Sequence, residues 1–171
     1  MSNASPFLVN VHVLRRDPGA RKHEHRSGRL PGMRVTGSWV PDDAEVDVDA
    51  VLEHADGGIV VTATVDAPWQ GDCRRCLSET SGTVHAQVRE LYERGSDGEE
   101  TYPLNGDQLD LERLARDAVL LELPQAPVCT DDCLGLCPEC GANRNEGDCG
   151  HTDVPTDPRW AALDALRTDN S

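Results

Sequence analysis

Seven cysteines and one histidine stand in four closely spaced pairs, and this pattern constrains the fold more than any other feature of the 171-residue chain. The number of cysteines is odd, so they cannot all form intramolecular disulfides. Clustered cysteines in a reducing compartment more often bind metal. The pairs are Cys73 with Cys76, Cys129 with Cys133, Cys137 with Cys140, and Cys149 with His151.

Four pairs supply eight ligands, which is the number that two tetrahedral zinc sites require. The last two pairs are close in sequence, and Gly141, Gly147 and Gly150 allow the chain to turn between them. We therefore predict one local site formed by Cys137, Cys140, Cys149 and His151. The second predicted site contains Cys73, Cys76, Cys129 and Cys133 and joins the sheet to the segment after the helix.

This division depends on His151. If His151 is not a ligand, the local site must take Cys129 or Cys133, and the pairing changes. Because both predicted sites close with thiolates and one imidazole, the pattern favours two structural zinc ions over a catalytic one, which keeps an open position. Free core cysteines and redox-active CxxC pairs remain as alternatives.

Composition limits the remaining possibilities. The chain has only three Trp, two Tyr and one Phe, so its core must consist mainly of Val, Leu and Ala. No apolar run approaches the roughly 20 residues that cross a bilayer. Residues 7–14 lack a basic leader and are interrupted by Asn10 and His12, which argues against a signal peptide. We expect a cytoplasmic protein with no membrane partner and no small-molecule substrate.

Alternating apolar residues predict an antiparallel sheet of about five strands, with a barrel-like curl as one possible form. The fold class is therefore α+β. The clearest alternation places Val46, Val48, Ala50 and Leu52 on one face. Strands are predicted within residues 7–14, 33–40, 45–52, 59–65 and 84–89, and the Cys73/Cys76 pair lies between the last two.

One packed helix is predicted over residues 109–123, with apolar residues at 111, 114, 115, 118, 119 and 121. Asp107 or Asp110 can cap its start, and Pro124 ends it. Residues 158–167 predict a short C-terminal helix that presents Trp160, Leu163 and Leu166. We predict two parts: an antiparallel β domain (1–128) that includes the helix, and an irregular zinc-bound cysteine-rich segment (129–171).

The charge of the chain is strongly asymmetric. Net charge is −15, yet residues 1–40 hold seven of the sixteen basic residues and only two of the thirty-one acidic ones. Prolines, glycines and the lack of a helical period predict that residues 15–34 form a mobile basic loop. One hypothesis is that this loop binds RNA phosphate, and the other is that it is a solvated loop. The candidate contacts are Arg15, Arg16, Arg21, Lys22, Arg26, Arg29 and Arg34, extended by Arg74 and Arg75.

Several motifs together resemble the YceD family. They are Cys-Arg-Arg-Cys-Leu at 73–77, Asp-Leu at 110–111, Leu-Pro at 123–124, Cys-Leu-Gly-Leu-Cys-Pro-Glu-Cys-Gly at 133–141, Asn-Arg-Asn-Glu-Gly at 143–147 and Asp-Pro-Arg-Trp at 157–160. The resemblance is strong from Cys73 onward. Many members end the metal segment with Cys-x-Cys, where this chain has Cys149-Gly-His151, and Arg144 stands where an apolar residue is expected.

The resemblance implies a metal-binding protein required for accumulation of large-subunit (23S) ribosomal RNA, of a family found in bacteria and plastids. It implies no catalytic residues. The expected function is a non-enzymatic zinc-binding factor in large-subunit biogenesis, with ribosomal RNA, a ribosomal protein or an assembly factor as partner. Two alternatives stay open: a zinc-ribbon nucleic-acid-binding module in transcription, for which the acidic body is a poor match, and a thiol oxidoreductase using the CxxC pairs.

Overall fold

The computed structural model describes residues 5–17, 19–151 and 159. In chain order these residues form β1 (Leu8–Asn10), a 3-10 turn (Leu14–Arg16), β2 (Arg21–Arg29), β3 (Ser38–Trp39), β4 (Glu45–Ala55), β5 (Gly58–Asp72), β6 (Glu79–Glu93), β7 (Tyr102–Pro103), β8 (Gln108–Asp110) and α1 (Leu111–Glu122). The mixture of strands and one helix agrees with the predicted α+β class.

The long hairpins β4–β5 and β5–β6 form the centre of the sheet. Residues 46, 48, 50 and 52 of β4 are buried, as their alternation predicts, and the β4–β5 turn contains Gly57 at a φ of 100°. Strands β5 and β6 pair along their full length, from Gly58 opposite Glu93 to Asp72 opposite Glu79. This pairing holds the Cys73/Cys76 turn at the far end of the hairpin.

The main sheet has the order β2-β4-β5-β6-β7, and β3 pairs with β5. Among the described residues it has six strands where about five are predicted, and β6 and β7 are parallel. Strands β1 and β8 form a separate two-stranded sheet. Because β2 and β7 lie at opposite edges and do not pair, the sheet is open and is not closed into a barrel, the form that the sequence left as one possibility.

The predicted basic loop is a strand over much of its length. β2 pairs antiparallel with β4, from Arg21 opposite Glu53 to Arg29 opposite Glu45. Its side chains are exposed or half-buried, and none is buried. A strand with no fully buried face lacks the apolar alternation that identifies strands from sequence. Main-chain hydrogen bonds and cross-strand charge pairs are what hold this edge, so the loop prediction for residues 21–29 is wrong.

Helix α1 confirms the predicted packed helix. Its N-cap is Asp110, whose carboxylate accepts a 2.9 Å hydrogen bond from the backbone N–H of Glu112. Five residues face the core: Leu111, Leu114, Ala115, Ala118 and Val119. The predicted apolar position Leu121 is instead 84% exposed. Leu109 belongs to β8, because the helix begins only after the cap.

Two other predicted strands are shorter in the structure. Residues 7–14 contain a strand only at Leu8–Asn10, and residues 33–40 contain one only at Ser38–Trp39. The predicted helix at 158–167 lies outside the described residues except for Arg159. The division at residue 128 stays a prediction. Within the described ranges, no helix is long and apolar enough to cross a membrane.

Candidate metal centres

The first cysteine pair lies in a tight turn that connects β5 to β6. The backbone N–H of Leu77 donates to the carbonyl of Cys73, and the N–H of Cys73 donates to the carbonyl of Ser78, both at 2.8 Å. Leu77 has a φ of 60°, in the left-handed region. These bonds fold the turn back so that Cys73 and Cys76 lie side by side, and both are buried.

The third pair repeats this geometry. The N–H of Gly141 donates to the carbonyl of Cys137, and the N–H of Cys137 donates to the carbonyl of Ala142, again at 2.8 Å. Gly141 has a φ of 73° and occupies the place that Leu77 has in the first turn. Both CxxC segments are therefore the same type of turn, which we call the first knuckle (73–78) and the second knuckle (137–142).

Four hydrogen bonds hold the chain after α1 beside the β5–β6 hairpin. The buried hydroxyl of Ser38 donates to the carbonyl of Pro124 at 2.9 Å. The N–H of Arg74 donates to the carbonyl of Pro127 at 2.9 Å. The Arg75 guanidinium donates to the carbonyls of Asp131 and Cys133 at 3.0 Å each. The segment that carries Cys129 and Cys133 is thereby fixed beside β5 and β6.

Cluster one consists of Cys73, Cys76, Cys129 and Cys133, whose sulfur atoms all lie within 4.8 Å of one another. The Cys73 and Cys133 sulfurs are 3.8 Å apart, and those of Cys76 and Cys129 are 3.6 Å apart. Zinc–sulfur bonds of about 2.3 Å in a regular tetrahedron set sulfurs about 3.8 Å apart. The four thiols fit a tetrahedral metal site, and all seven cysteines of the chain are free of disulfides.

Cluster two consists of Cys137, Cys140, Cys149 and His151, with ligand atoms again within 4.8 Å of one another. Here Cys137 is buried and Cys149 half-buried, whereas Cys140 and His151 are exposed. These groups are the same two sets of four that the sequence pattern predicts. They differ in burial, since three of the four members of cluster one are buried.

The surroundings of the thiols favour metal binding in both clusters. Burial opposes ionisation of Cys73, but backbone hydrogen bonds from Cys76, Cys129 and Arg75 outweigh it and lower its pKa to about 6. Backbone hydrogen bonds from Cys140 and Glu139 lower the pKa of Cys137 to about 7. The first thiol of each knuckle is thus prepared as a thiolate, the form that binds metal.

At Cys129 the neighbouring thiols raise the pKa instead of lowering it. Its neighbours Cys133 and Cys76 share hydrogen bonds with its thiol and raise its pKa to about 12. Thiols gathered this closely cannot all ionise without a compensating positive charge. A divalent cation would supply that charge, because coordination deprotonates thiols.

The structure separates the nine predicted basic contacts into three groups. Four form ion pairs with carboxylates: Arg15 with Asp107, Arg21 with Glu53, and Lys22 and Arg26 with Glu24. Arg75 donates to backbone carbonyls of the segment after α1. Within the described part of the chain, the four others have no carboxylate partner, and all are exposed: Arg16, Arg29, Arg34 and Arg74.

Sequence reasoning missed two residues that hold cluster one together, Arg75 in its structural role and Asn145. The Nδ2 atom of Asn145 lies 3.3 Å from the Cys133 sulfur. The sequence predicts instead that Arg75, exposed on the turn with Arg74, extends the basic patch that could bind RNA phosphate. The position of Asn145 between two ligand pairs gives no signal that its side chain reaches the other cluster.

The α+β fold, with an open sheet, one helix and two clusters of four side chains that could hold a metal ion, defines a small protein with two candidate metal centres. Residues 61–167 match the family model described as "Large ribosomal RNA subunit accumulation protein YceD". The chain belongs to the YceD family, as the resemblance indicated.

Mycobacterial relatives cover most of the chain. An uncharacterized protein of Mycobacterium tuberculosis (strain H37Rv) is 37% identical over 170 residues, which span 94% of this chain and 81% of the relative. An uncharacterized protein of Mycobacterium leprae is 32% identical over 178 residues, which span 93% of this chain and 76% of the relative. No solved structure matches the chain.

Proposed function

We propose that the protein binds two zinc ions, one in each cluster, and that both ions are structural. The observation that carries this proposal is the presence of two separate sets of four thiol or imidazole groups whose ligand atoms lie within 4.8 Å of one another, close enough to share one ion. Such sets leave no ligand position open for substrate. Zinc suits them because thiolate and imidazole are its preferred ligands and it has no redox chemistry of its own.

The location of the pairs argues against a thiol oxidoreductase. A redox CxxC places its first thiol at the N-terminus of a helix. Here Cys73 and Cys76 lie in a turn between two strands, and Cys137 and Cys140 lie in a turn of the same type. Each thiol of cluster one also lies near three others, which suits a shared ion better than exchange within one pair.

The biological function proposed is non-enzymatic support of 23S ribosomal RNA accumulation during assembly of the large ribosomal subunit in the cytoplasm. Membership of a family described by large ribosomal RNA subunit accumulation supports this role. In this account, zinc holds the segment after α1 against the β5–β6 hairpin. That surface, kept in one shape by cluster one, then meets the ribosomal RNA, a ribosomal protein or an assembly factor.

Direct contact with RNA is proposed for a smaller set of residues than the charge pattern suggests. Cations held by carboxylates at short range contribute little net positive potential. The residues proposed to meet phosphate are therefore Arg16, Arg29, Arg34 and Arg74. Changing Arg29, Arg34 and Arg74 to Glu should weaken binding to ribosomal RNA and flatten its salt dependence. The same change at Arg21, Lys22 and Arg26 is the comparison, and equal effects of both sets would contradict this selection.

The proposed function is tested in a bacterial strain whose own gene for this protein is deleted. The ratio of large-subunit to small-subunit ribosomal RNA should fall in the deletion strain and return with the unaltered gene. A Cys76→Ser, Cys133→Ser gene should not restore it, whereas an Asp56→Asn gene should. An unchanged ratio in the deletion strain would contradict the proposed role, and full rescue by the cysteine variant would contradict the role of zinc in it.

A further inference from the structure

Asn145 links the two clusters. Its Nδ2 atom lies 3.3 Å from the Cys133 sulfur of cluster one, and its Oδ1 atom accepts a 2.8 Å hydrogen bond from the backbone N–H of Leu134. Asn145 itself lies between Cys140 and Cys149, in the loop that closes cluster two. A residue from the loop of one cluster therefore contacts a sulfur of the other.

The chemistry of its partners fixes the orientation of this amide. A backbone N–H can only donate, so the side-chain atom facing Leu134 must be the oxygen. The Nδ2 group then faces the Cys133 sulfur and donates to it, and it also donates to the Oδ1 atom of Asn143 at 2.8 Å.

The loop is held in place by its own short contacts with the chain after Cys133. The N–H of Arg144 donates to the carbonyl of Gly135 at 2.9 Å, and Leu136 and Asn143 form an isolated antiparallel bridge. Asn143 accepts from the N–H of Asn145 at 3.1 Å. These contacts place the Asn145 side chain at the sulfur only while the loop keeps this shape, and the ends of the loop are ligands of cluster two.

We propose that Asn145 is a positioning residue for the metal of cluster one and couples the metal affinities of the two clusters. This inference rests on the proposed binding of metal to both clusters. A divalent ion with four thiolates has two net negative charges, so hydrogen bonds donated to its sulfurs stabilise the filled site. Filling cluster two orders the loop, which brings the Asn145 donor to Cys133. By linkage, filling cluster one must strengthen cluster two by the same factor.

The test is titration of the metal-free full-length chain with Co²⁺, followed by absorption. Co²⁺ with four thiolates and Co²⁺ with three thiolates and one imidazole have different spectra, so each cluster can be followed separately. Asn145→Asp keeps an acceptor for the Leu134 N–H but removes the donor to Cys133. The affinity of cluster one should fall by about 10- to 100-fold, the range measured for partners of metal ligands. Arg144→Ala, a neighbouring change in the same loop, should leave it unaltered.

A second readout separates this role from general loss of structure. A hydrogen bond to a thiolate lowers the energy of its lone pair, so its removal should shift the sulfur-to-cobalt charge-transfer band of cluster one to longer wavelength. Asn145→Ala should shift the band in the same direction. A band at the position of the unaltered protein in both variants would overturn the proposed hydrogen bond.

Coupling is tested by disabling cluster two with Cys140→Ser and Cys149→Ser. Cluster one should then bind Co²⁺ as weakly as in Asn145→Asp, and adding Asn145→Asp should weaken it no further. If the combined variant loses the product of the two separate losses in Co²⁺ affinity, the coupling is overturned. It is also overturned if the Asn145 variants bind Co²⁺ in cluster one as tightly as the unaltered protein. If the unaltered chain binds Co²⁺ in neither cluster, the proposed metal function fails as well, and this outcome is distinct from two filled but uncoupled clusters.

Discussion

Leu77 and Gly141 occupy the same position in two turns of the same hydrogen-bonding pattern, each directly after the second cysteine of a CxxC pair. Their φ angles are 60° and 73°, and each N–H donates to the carbonyl of the first cysteine at 2.8 Å. A left-handed backbone suits glycine, whereas it costs other L-residues about 1–2 kcal/mol. The first knuckle therefore carries backbone strain that the second lacks.

The first prediction concerns this strain. Leu77 is 65% exposed, so Leu77→Gly removes little packing while it relieves the left-handed strain. Glycine also increases the freedom of the unfolded chain, which offsets part of the gain. We expect a net stabilisation of about 0.5–1 kcal/mol, measured by urea unfolding of the metal-loaded protein.

Leu77→Ala is the matched control, because it removes the side chain and keeps the strain. The free energy of unfolding of Leu77→Ala should lie within about 0.5 kcal/mol of that of the unaltered protein, as is usual for exposed positions. The converse change, Gly141→Ala, should weaken metal binding in cluster two. If Leu77→Gly unfolds at a lower urea concentration than Leu77→Ala, the left-handed backbone at Leu77 does not destabilise the protein.

The second prediction concerns the unequal structural roles of the clusters. Cluster one ties the β5–β6 turn to the segment after α1, positions more than fifty residues apart in the chain. Cluster two closes a local loop. Cys76→Ser should therefore lower the free energy of unfolding of the sheet by at least about 3 kcal/mol, since structural zinc contributes more than this on binding. Cys149→Ser should lower it by less, about 1.4–2.7 kcal/mol, because it acts on cluster one only through the proposed 10- to 100-fold coupling.

Amide hydrogen exchange of β5 and β6 checks this second prediction independently. Protection at the cluster end of the hairpin should fall strongly in Cys76→Ser and by a smaller amount in Cys149→Ser. Equal loss in both variants would mean that the two clusters support the sheet alike.

The third prediction separates the two adjacent arginines of the first knuckle. Arg75 donates to the carbonyls of Asp131 and Cys133, whereas Arg74 is exposed and has no carboxylate partner in the described ranges. Arg75→Ala should destabilise the metal-loaded protein by about 1–3 kcal/mol, the usual loss when a charged donor leaves carbonyls unpaired. Arg74→Ala should have little effect. Thermal unfolding of Arg75→Ala and Arg74→Ala measures this difference. Equal stabilities of the two variants would contradict the structural role of Arg75.

The fourth prediction concerns acid stability. A hydrogen bond with His12, followed by the charges of His12 and Arg15, lowers the pKa of Asp107 below its ordinary value of 3.8. Its folded pKa is depressed, so its contribution to stability is present above about pH 4 and is lost as pH falls through the folded pKa. Asp107→Asn should thus be less stable than the unaltered protein near pH 7, and the difference should shrink towards pH 3.

Asp56→Asn, a change in the exposed β4–β5 turn, is the control for this fourth prediction. Urea midpoints of the three proteins at several pH values supply the measurement. A gap between Asp107→Asn and the unaltered protein that stays constant down to pH 3 would show that the carboxylate charge contributes nothing.

The sequence predicts best what burial or ligand chemistry specifies. The alternation of Val46, Val48, Ala50 and Leu52 identifies β4 because one face of that strand is buried. The apolar period of residues 111–119 identifies α1 for the same reason, and the cap and Pro124 define its limits. The two groups of four candidate metal ligands follow from spacing, since chemistry restricts which side chains can share an ion.

The sequence fails where pairing depends on backbone contacts or on partners distant in the chain. Strand β2 has no fully buried face, so its polar residues give no strand signal, and only its register with β4 reveals it. The basic charge of Arg21 and Arg26 suggests a phosphate site, but Glu53 and Glu24 neutralise it after folding. The contact of Asn145 with Cys133 depends on the path of the loop, which no local pattern specifies.

All eight residues of the two clusters are proposed to hold zinc and to give the surface its shape. Elemental analysis combined with native mass spectrometry of the purified full-length protein measures the number of ions. We expect two zinc ions per chain, with one ion left in the variant Cys140→Ser, Cys149→Ser. A folded chain that contains no zinc, or a variant that keeps both ions, would show that the clusters do not hold zinc as proposed.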